Sequence, residues 1–143
     1  MHERKSKEMD YESKSNKWLK DELWRIFSLY TRQRYANDNG KVRCITCGAW
    51  RPWRRLQAGH YISRKHNSTF IDEYNVFPQC GKCNGDGYGM PEEYAAFLDM
   101  YFPGERERVE AKSREIFKMD REWMIEQINH YNFLLKERGF VMR

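Results

Sequence analysis

Four cysteines in two closely spaced pairs are the side chains best suited to hold a metal ion. The pairs are Cys44-x-x-Cys47 and Cys80-x-x-Cys83. Two such pairs match a structural zinc site, in which four thiolates surround one ion as a tetrahedron. Two disulfides or a redox-active Cys-x-x-Cys are the alternatives, but a chain without an export signal favours reduced thiolates. Because four sulfurs fill the coordination shell, we expect this zinc to be structural, and any catalysis must lie elsewhere.

The segment between and just after the cysteine pairs carries side chains that phosphodiester cleavage needs. That reaction requires a base to activate water and a divalent cation to take up charge on the phosphate and the leaving oxygen. His60 lies among basic residues and is either this base or a buried structural histidine. Asn75 either orients the imidazole or caps a turn. Asn84 follows the second cysteine pair directly, where its side-chain oxygen is available to a hard cation.

Positive charge is concentrated in the middle of the chain. The net charge is +5, and residues 41–65 contain seven Lys or Arg and no Asp or Glu. A patch of one sign suits a polyanion, with nucleic acid the leading candidate, and the alternative is a solvated face that only keeps the protein soluble. Trp50 and Trp53 either stack on unpaired bases or pack over the cysteine pairs, and we favour packing. The predicted DNA contacts are Arg51, Arg54, Arg55, Arg64 and Lys65.

The chain resembles the HNH (ββα-metal, His-Me finger) nucleases in the order of His60, Asn75, Cys80-x-x-Cys83 and Asn84, with a Cys-x-x-Cys upstream. Asn at the last of these positions resembles the endonuclease VII type of Holliday-junction resolvase. More specifically, the chain is similar to the lambdoid phage NinG (Rap) recombination family over about residues 17–118. That similarity rests on the stretches "FSLYTRQRYANDNGKVRCITCG", "LQAGHYISR" and "CGKCN".

The resemblance implies a metal-dependent DNA endonuclease that acts on branched recombination intermediates such as Holliday junctions and D-loops. It implies that His60 is the general base, that Asn75 orients it, and that Asn84 binds Mg²⁺ or Mn²⁺. A second function stays open, in which a non-catalytic zinc module binds branched or single-stranded DNA.

One departure from the family pattern concerns the second ligand of the catalytic metal. Many of these nucleases have an Asp directly before the base, where this chain has Gly59. We expect Asp86 or Asp72 to replace it, on grounds of charge. The alternative is that His60 is itself a metal ligand and that the base is another residue.

One domain of the α+β class must position these residues. We predict a small ββα-metal (HNH) core, held together by zinc and flanked by an N-terminal helix and C-terminal helices. Short strands are expected in "VRCITCG" and "LQAGHYIS". The predicted ranges are a flexible charged arm over 1–15 and one nuclease domain over 16–143, with the first helix at 16–37, the core at 41–90 and the last helices at 91–139.

No apolar run approaches the ~20 residues that a membrane-spanning helix needs, so we expect no membrane partner. If the phage resemblance holds, the expected location is the cytoplasm of a bacterial host. A homodimer is also expected if both strands of a junction are cut symmetrically.

Overall fold

The structure is a mixed α+β fold, as predicted. The computed structural model describes residues 10–139, and within them four α-helices surround two antiparallel, two-stranded sheets. No helix in this part of the chain is long and apolar enough to cross a membrane. The elements are β1 (Lys41–Arg43), β2 (Trp50–Pro52), β3 (Leu56–His60), β4 (Val76–Cys80), α1 (Asn16–Gln33), α2 (Pro91–Tyr101), α3 (Glu105–Ser113) and α4 (Arg121–Glu137).

Helix α1 starts where the sequence predicts and ends four residues earlier. Ser15 caps it, since its hydroxyl accepts a hydrogen bond from a backbone N–H of the first turn. The predicted helix runs to residue 37, whereas α1 ends at Gln33. Asn37 explains the difference because its side-chain oxygen accepts hydrogen bonds from the N–H groups of Asn39 and Lys41, which stabilises a turn in place of a helix.

The arm predicted over residues 1–15 falls partly outside the described residues, which exclude 1–9. Residues Tyr11–Ser13 form a short 3₁₀ turn. Arg121 of α4 donates hydrogen bonds to the carbonyls of Tyr11 and Glu12. The described part of this segment is therefore docked on α4 and is not a free arm.

Two of the four strands, β1 and β3, are predicted from the sequence, and their partners are not. Strand β2 consists of three exposed residues and so has no apolar alternation. Pro78 lies in the middle of β4, and a proline cannot donate a hydrogen bond to a strand ladder. The strand tolerates it because Pro78 lies opposite Ala58, at a position where the ladder forms no hydrogen bonds. Tyr61 N–H donates to the Asn75 carbonyl, so this pair is hydrogen-bonded. Hydrogen-bonded and non-hydrogen-bonded pairs alternate along an antiparallel ladder, and the pair of Ala58 and Pro78 is therefore of the second kind.

The β3–β4 hairpin is covered on both faces. Ala58 and His60 lie on the face that packs against α1. Gly59 and Phe77 lie opposite each other on the other face, which packs against Tyr94 of α2. Because successive side chains of a strand alternate between faces, positions 59 and 60 lie on opposite faces of the hairpin.

A short helical segment follows β4 directly. Residues Lys82–Asp86 form a single π-helical turn that carries Asn84. The order strand, strand, helical turn matches the predicted ββα order, with the helix reduced to one turn. Helix α2 then begins at Pro91, as predicted, after Met90 in a left-handed conformation.

Candidate functional site

The four cysteines come together at one point. Their sulfurs all lie within 4.8 Å of one another, and Cys47 Sγ is 3.8 Å from Cys80 Sγ. Zn–S bonds of ~2.3 Å at tetrahedral angles place sulfurs about 3.8 Å apart, so the cluster could hold one such ion. Cys44 and Cys47 lie in the connection between β1 and β2, while Cys80 ends β4 and Cys83 lies on the π-helical turn. A metal here would tie the two hairpins together.

The surroundings of the thiols favour a cation. Burial raises the pKa of Cys83 to about 12. For Cys44 burial also acts to raise the pKa, but hydrogen bonds from the Thr46 hydroxyl and nearby backbone N–H groups outweigh it and lower the pKa to about 6. Thr46 Oγ1 lies 3.4 Å from Cys44 Sγ. The protein itself thus favours one thiolate, whereas Cys47 and Cys83, whose pKa values are raised, need a positive charge to ionise beside it.

His60, at the end of β3, has a half-buried imidazole held by two contacts. Its ring stacks on Trp24 of α1 with centroids 4.9 Å apart, and its Nε2 lies 2.8 Å from the Phe70 carbonyl oxygen. Because a carbonyl only accepts, Nε2 carries the proton and Nδ1 keeps a free lone pair. Burial lowers the pKa of His60 to about 4; the Phe70 carbonyl opposes this shift and the charge of Arg64 adds to it. The imidazole is therefore neutral at pH 7.

Asn75 acts on the loop that follows β3 and makes no direct hydrogen bond to the imidazole. Its fully buried amide accepts from the N–H of Ile62 and donates to the carbonyls of Ile62 and Thr69. Thr69 precedes Phe70, whose carbonyl binds the imidazole. The predicted direct contact of Asn75 with the imidazole is therefore not formed, and Asn75 instead holds the loop backbone that leads to Phe70.

Asn84 lies against the other face of the hairpin, among amide side chains. Its Nδ2 donates a 2.7 Å hydrogen bond to Gln57 Oε1. Its Oδ1 faces Gly59, where it would lie 3.0 Å from an added Cβ. The same Cβ would lie 1.9 Å from Oε1 of Gln79, a residue with 0% exposure. Two amide oxygens thus converge on the backbone of Gly59.

His60 and Asn84 consequently lie on opposite faces of β3. The imidazole packs toward α1. The Asn84 oxygen faces Gly59, the residue directly before His60. A ligand that contacts both must lie across the end of β3, where the chain enters the loop to β4.

The two carboxylates expected beside Asn84 are placed elsewhere, and both assignments need correction. Both oxygens of Asp72 are engaged, by Arg108 at 2.7 and 3.0 Å and by Lys112 at 3.0 Å. Burial acts to raise the pKa of Asp72, but these cations outweigh it and lower the pKa. Asp86 is exposed and lines a groove beside the cysteines. It follows Asn84 by two residues, and residues two apart on a helical turn do not share a face. Neither carboxylate is positioned with the Asn84 oxygen.

The five basic residues predicted to contact DNA are all exposed. No carboxylate among residues 10–139 forms an ion pair with any of them. Arg51 and Arg55 line the groove of about 710 Å³ beside the cysteines, together with Lys82. Arg64 lies over Trp24, 5.0 Å from the ring centroid, and so next to His60. Lys65 follows it on the same exposed loop.

The remaining basic residue of this set, Arg54, lies over the ring of Trp53, 4.5 Å from its centroid. Trp53 is 7% exposed, so it packs into the hydrophobic core and does not offer its face to bases, while the favoured packing over the cysteine pairs stays a prediction. Trp50 is 51% exposed and packs less.

Sequence reasoning missed the residues that complete both faces of the site. Trp24 and Phe70 flank the imidazole, and Lys20 lies 5.1 Å over the Phe70 ring. Trp24 is offset from the apolar stripe of α1, which is a signal that a ring there contacts something other than the core. Gln57 and Gln79 gave no such signal, because an isolated glutamine in a strand has no characteristic spacing.

In a comparison with protein families, residues 1–138 match a model described as bacteriophage lambda NinG protein. No curated protein and no solved structure matches the chain significantly. The family match confirms the resemblance to the phage NinG proteins, while the assignment as an HNH nuclease stays a prediction. Because the match spans nearly the whole chain, this protein belongs to the bacteriophage lambda NinG family.

Proposed function

We propose that this protein is a metal-dependent DNA endonuclease that acts on branched recombination intermediates, Holliday junctions and D-loops, in the cytoplasm of the phage host. The observation that carries the proposal is that the Asn84 oxygen faces Gly59, the neighbour of His60 on β3, beside a four-cysteine cluster. Membership of a phage recombination family supports the choice of substrate.

The four cysteines fit a structural zinc ion. All four are free thiols, and their sulfurs lie within 4.8 Å of one another, near the ~3.8 Å spacing around one tetrahedral zinc ion. Because they would fill the coordination shell, this zinc leaves no position for substrate. Its role is to fix the β1–β2 connection against the turn that carries Asn84.

The reaction needs a second, exchangeable ion, Mg²⁺ or Mn²⁺, and the amide oxygens beside Gly59 fit such a hard cation. When bound, the cation supplies charge neutralisation at the phosphate. The side chain of Asn84 would hold it. His60 accepts a proton from water at Nδ1, since Nε2 donates to the Phe70 carbonyl. Stacking on Trp24 fixes the plane of the imidazole while it does so.

The basic residues around this hairpin would bind the DNA backbone. Arg64 and Lys20 lie beside the imidazole, and Arg51 and Arg55 line the groove beside the cysteines. These groups carry no sequence information, which suits a substrate recognised by its branched shape. Symmetric cleavage of a junction would require two copies of the site, and a homodimer would provide them.

One observation favours a second candidate function, binding of branched or single-stranded DNA without cleavage. Among residues 10–139, the four cysteines are the only group of three or more His, Cys, Asp or Glu close enough to share a metal ion. A site built from amides without a carboxylate binds a divalent cation weakly, and loss of the cation would leave a DNA-binding zinc module.

Cleavage of a labelled four-way junction in Mg²⁺ or Mn²⁺ separates the two functions. We expect the zinc-loaded protein to cut the junction, and His60→Ala to lower the rate at least 100-fold while binding is retained. His130→Ala is the matched control because His130 is an exposed histidine on α4. Binding without any cleavage by the wild type, or equal cleavage by His60→Ala, would contradict the nuclease assignment.

A further inference from the structure

A buried oxygen on the hairpin has no hydrogen-bond partner. Gln79 is 0% exposed, and its Nε2 donates to the Gly89 carbonyl at 2.9 Å and to Thr46 Oγ1 at 3.1 Å. The carbonyl of Gly89 can only accept, so this end of the amide must be the nitrogen and the other end is Oε1. That oxygen has no partner in the structure. An unpaired buried oxygen is costly, and it needs an explanation.

The direction of the Gln79 oxygen suggests why it has no partner. It points at the position that a Cβ of Gly59 would occupy, at 1.9 Å, and the Asn84 oxygen reaches the same position at 3.0 Å. Both oxygens therefore lie within 3.0 Å of one point. Two oxygen ligands of a Mg²⁺ ion at ~2.1 Å lie about 3 Å apart when adjacent and about 4 Å apart when opposite. The two oxygens are therefore less than ~5 Å apart, and a rotation of the partly exposed Asn84 side chain would bring its oxygen to an ion bound at Gln79 Oε1.

The backbone at this point has no side chain that would interfere. Residue 59 is a glycine with an ordinary strand conformation, so no turn or left-handed φ requires glycine here. What excludes a larger residue is the amide of Gln79, which already fills the space. Glycine is thus present to admit the Gln79 oxygen to the face that Asn84 occupies.

We propose that Gln79 Oε1 and Asn84 Oδ1 together ligate the divalent cation, in a site without a carboxylate. The proposal rests on the proposed function for its cation and adds the second protein ligand. Two neutral oxygens bind an ion weakly, and the remaining positions are left to water and to oxygens of a DNA phosphate. Hard Mg²⁺ or Mn²⁺ suits this ligand set, whereas zinc prefers the thiolates.

The position of the ion can be measured on the wild-type, zinc-loaded protein with Mn²⁺ as the probe. Paramagnetic Mn²⁺ broadens nearby amide resonances in a ¹⁵N correlation spectrum. We expect the side-chain NH₂ signals of Gln79 and Asn84 to disappear at the lowest Mn²⁺ concentrations. If both signals stay sharp while others disappear, the ion binds elsewhere and the proposal is wrong.

Variants test whether the Gln79 oxygen is a ligand, with Mn²⁺ affinity measured by electron paramagnetic resonance. Gln79→Met keeps the length of the side chain without its oxygen, and we expect at least tenfold weaker binding. Gln79→Glu adds a charge at the same place, and we expect at least tenfold tighter binding. Gln33→Met, at a second buried glutamine on α1, is the control and should leave Mn²⁺ affinity unchanged.

Zinc content monitors the fold of each variant. Unchanged Mn²⁺ affinity in zinc-loaded Gln79→Met would overturn the proposal. If Gln79→Met does not fold, Gln79→Glu decides, and its failure to bind Mn²⁺ more tightly would overturn the proposal. Junction cleavage separates this result from the proposed function. Mn²⁺ binding that depends on Gln79, in a protein that cuts no branched DNA, would support the site and refute the nuclease; cleavage with Gln79-independent Mn²⁺ binding would do the reverse.

Discussion

Gly59→Ala puts the packing of the hairpin to a direct test. The new Cβ would lie 1.9 Å from Gln79 Oε1 and 2.8 Å from its Cδ. Carbon and oxygen atoms that are not bonded do not approach this closely, so the amide of Gln79 must move. Gln79 cannot move freely, because it is fully buried and its nitrogen donates to Thr46 and to Gly89.

The cost follows from either of two responses. If the amide stays, overpacking of a buried site destabilises by about 1–3 kcal/mol. If it rotates away, two hydrogen bonds worth ~1 kcal/mol each are lost. Both routes predict that the free energy of unfolding falls by about 2 kcal/mol. That is a large effect for a single added methyl group on a strand.

Urea denaturation of the zinc-loaded protein, followed by tryptophan fluorescence, measures this change. Gly85→Ala is the matched control because an added Cβ there meets no atom within 4 Å, and it should change stability by less than ~0.5 kcal/mol. In the double variant Gly59→Ala/Gln79→Ser the space is restored, so the two effects should fail to add by ~1 kcal/mol or more. Additive effects, or a Gly59→Ala protein as stable as the wild type, would show that the Gln79 oxygen does not occupy this space.

Three other perturbations have defined outcomes. Cys83→Ser should release zinc and lower the thermal midpoint of unfolding sharply, since sites of this kind lose their fold with the metal; an unchanged midpoint would exclude a structural metal. His60 has its pKa lowered from 6.5 to about 4, so the unfolded chain takes up a proton that the native state refuses, and stability should fall by about 3 kcal/mol between pH 6.5 and pH 4. In His60→Gln this part of the pH dependence should vanish. If the stability of His60→Gln depends on pH as steeply as that of the wild type, the effect does not come from His60. Replacing Arg54 and Arg55 by Gln should reduce the slope of log K against log salt for DNA binding by about 2, while Lys136→Gln on α4 leaves it unchanged; an unaltered slope would place the DNA elsewhere.

The parts of the fold that the sequence predicts are those with a local signal. The buried residues of α1 recur every three or four positions, and Ser15 supplies the cap, so the start and the inner face of the helix follow from spacing alone. The two cysteine pairs predict their own cluster because two Cys-x-x-Cys motifs have few other uses. Strand β4 was missed because Pro78 removes a donor, and its tolerance depends on a register that only pairing with β3 sets.

The site was less predictable because its neighbours are distant in sequence. Asp72 looked like a free ligand on grounds of charge, yet it pairs with Arg108 and Lys112 from α3. No local sequence pattern predicts that the partner of an ion pair lies on a later helix. Gln79 was overlooked for a different reason: a neutral amide becomes a candidate ligand only when its oxygen is known to be buried and unpaired.

The cysteine cluster and the amide oxygens share one support. Gln79 precedes Cys80 in the chain, and Asn84 follows Cys83. The Thr46 hydroxyl links the two sites further, because it contacts Cys44 Sγ and accepts the hydrogen bond from Gln79 Nε2. An ion held by the four sulfurs would therefore fix the direction of both amide oxygens.

This arrangement predicts that Mn²⁺ binding depends on the cysteine cluster, whereas zinc binding does not depend on the side chain of Asn84. Removal of zinc by a chelator should abolish Mn²⁺ binding, because both amide oxygens lose their anchors when the cysteines separate. Loss of the amide oxygen in Asn84→Ala should leave zinc bound, because the four sulfurs alone would hold it. Zinc content and Mn²⁺ affinity measured on the same samples test both statements. Mn²⁺ bound with undiminished affinity by the zinc-free protein would show that the two sites are independent, and that the four cysteines have no part in positioning Gln79 and Asn84.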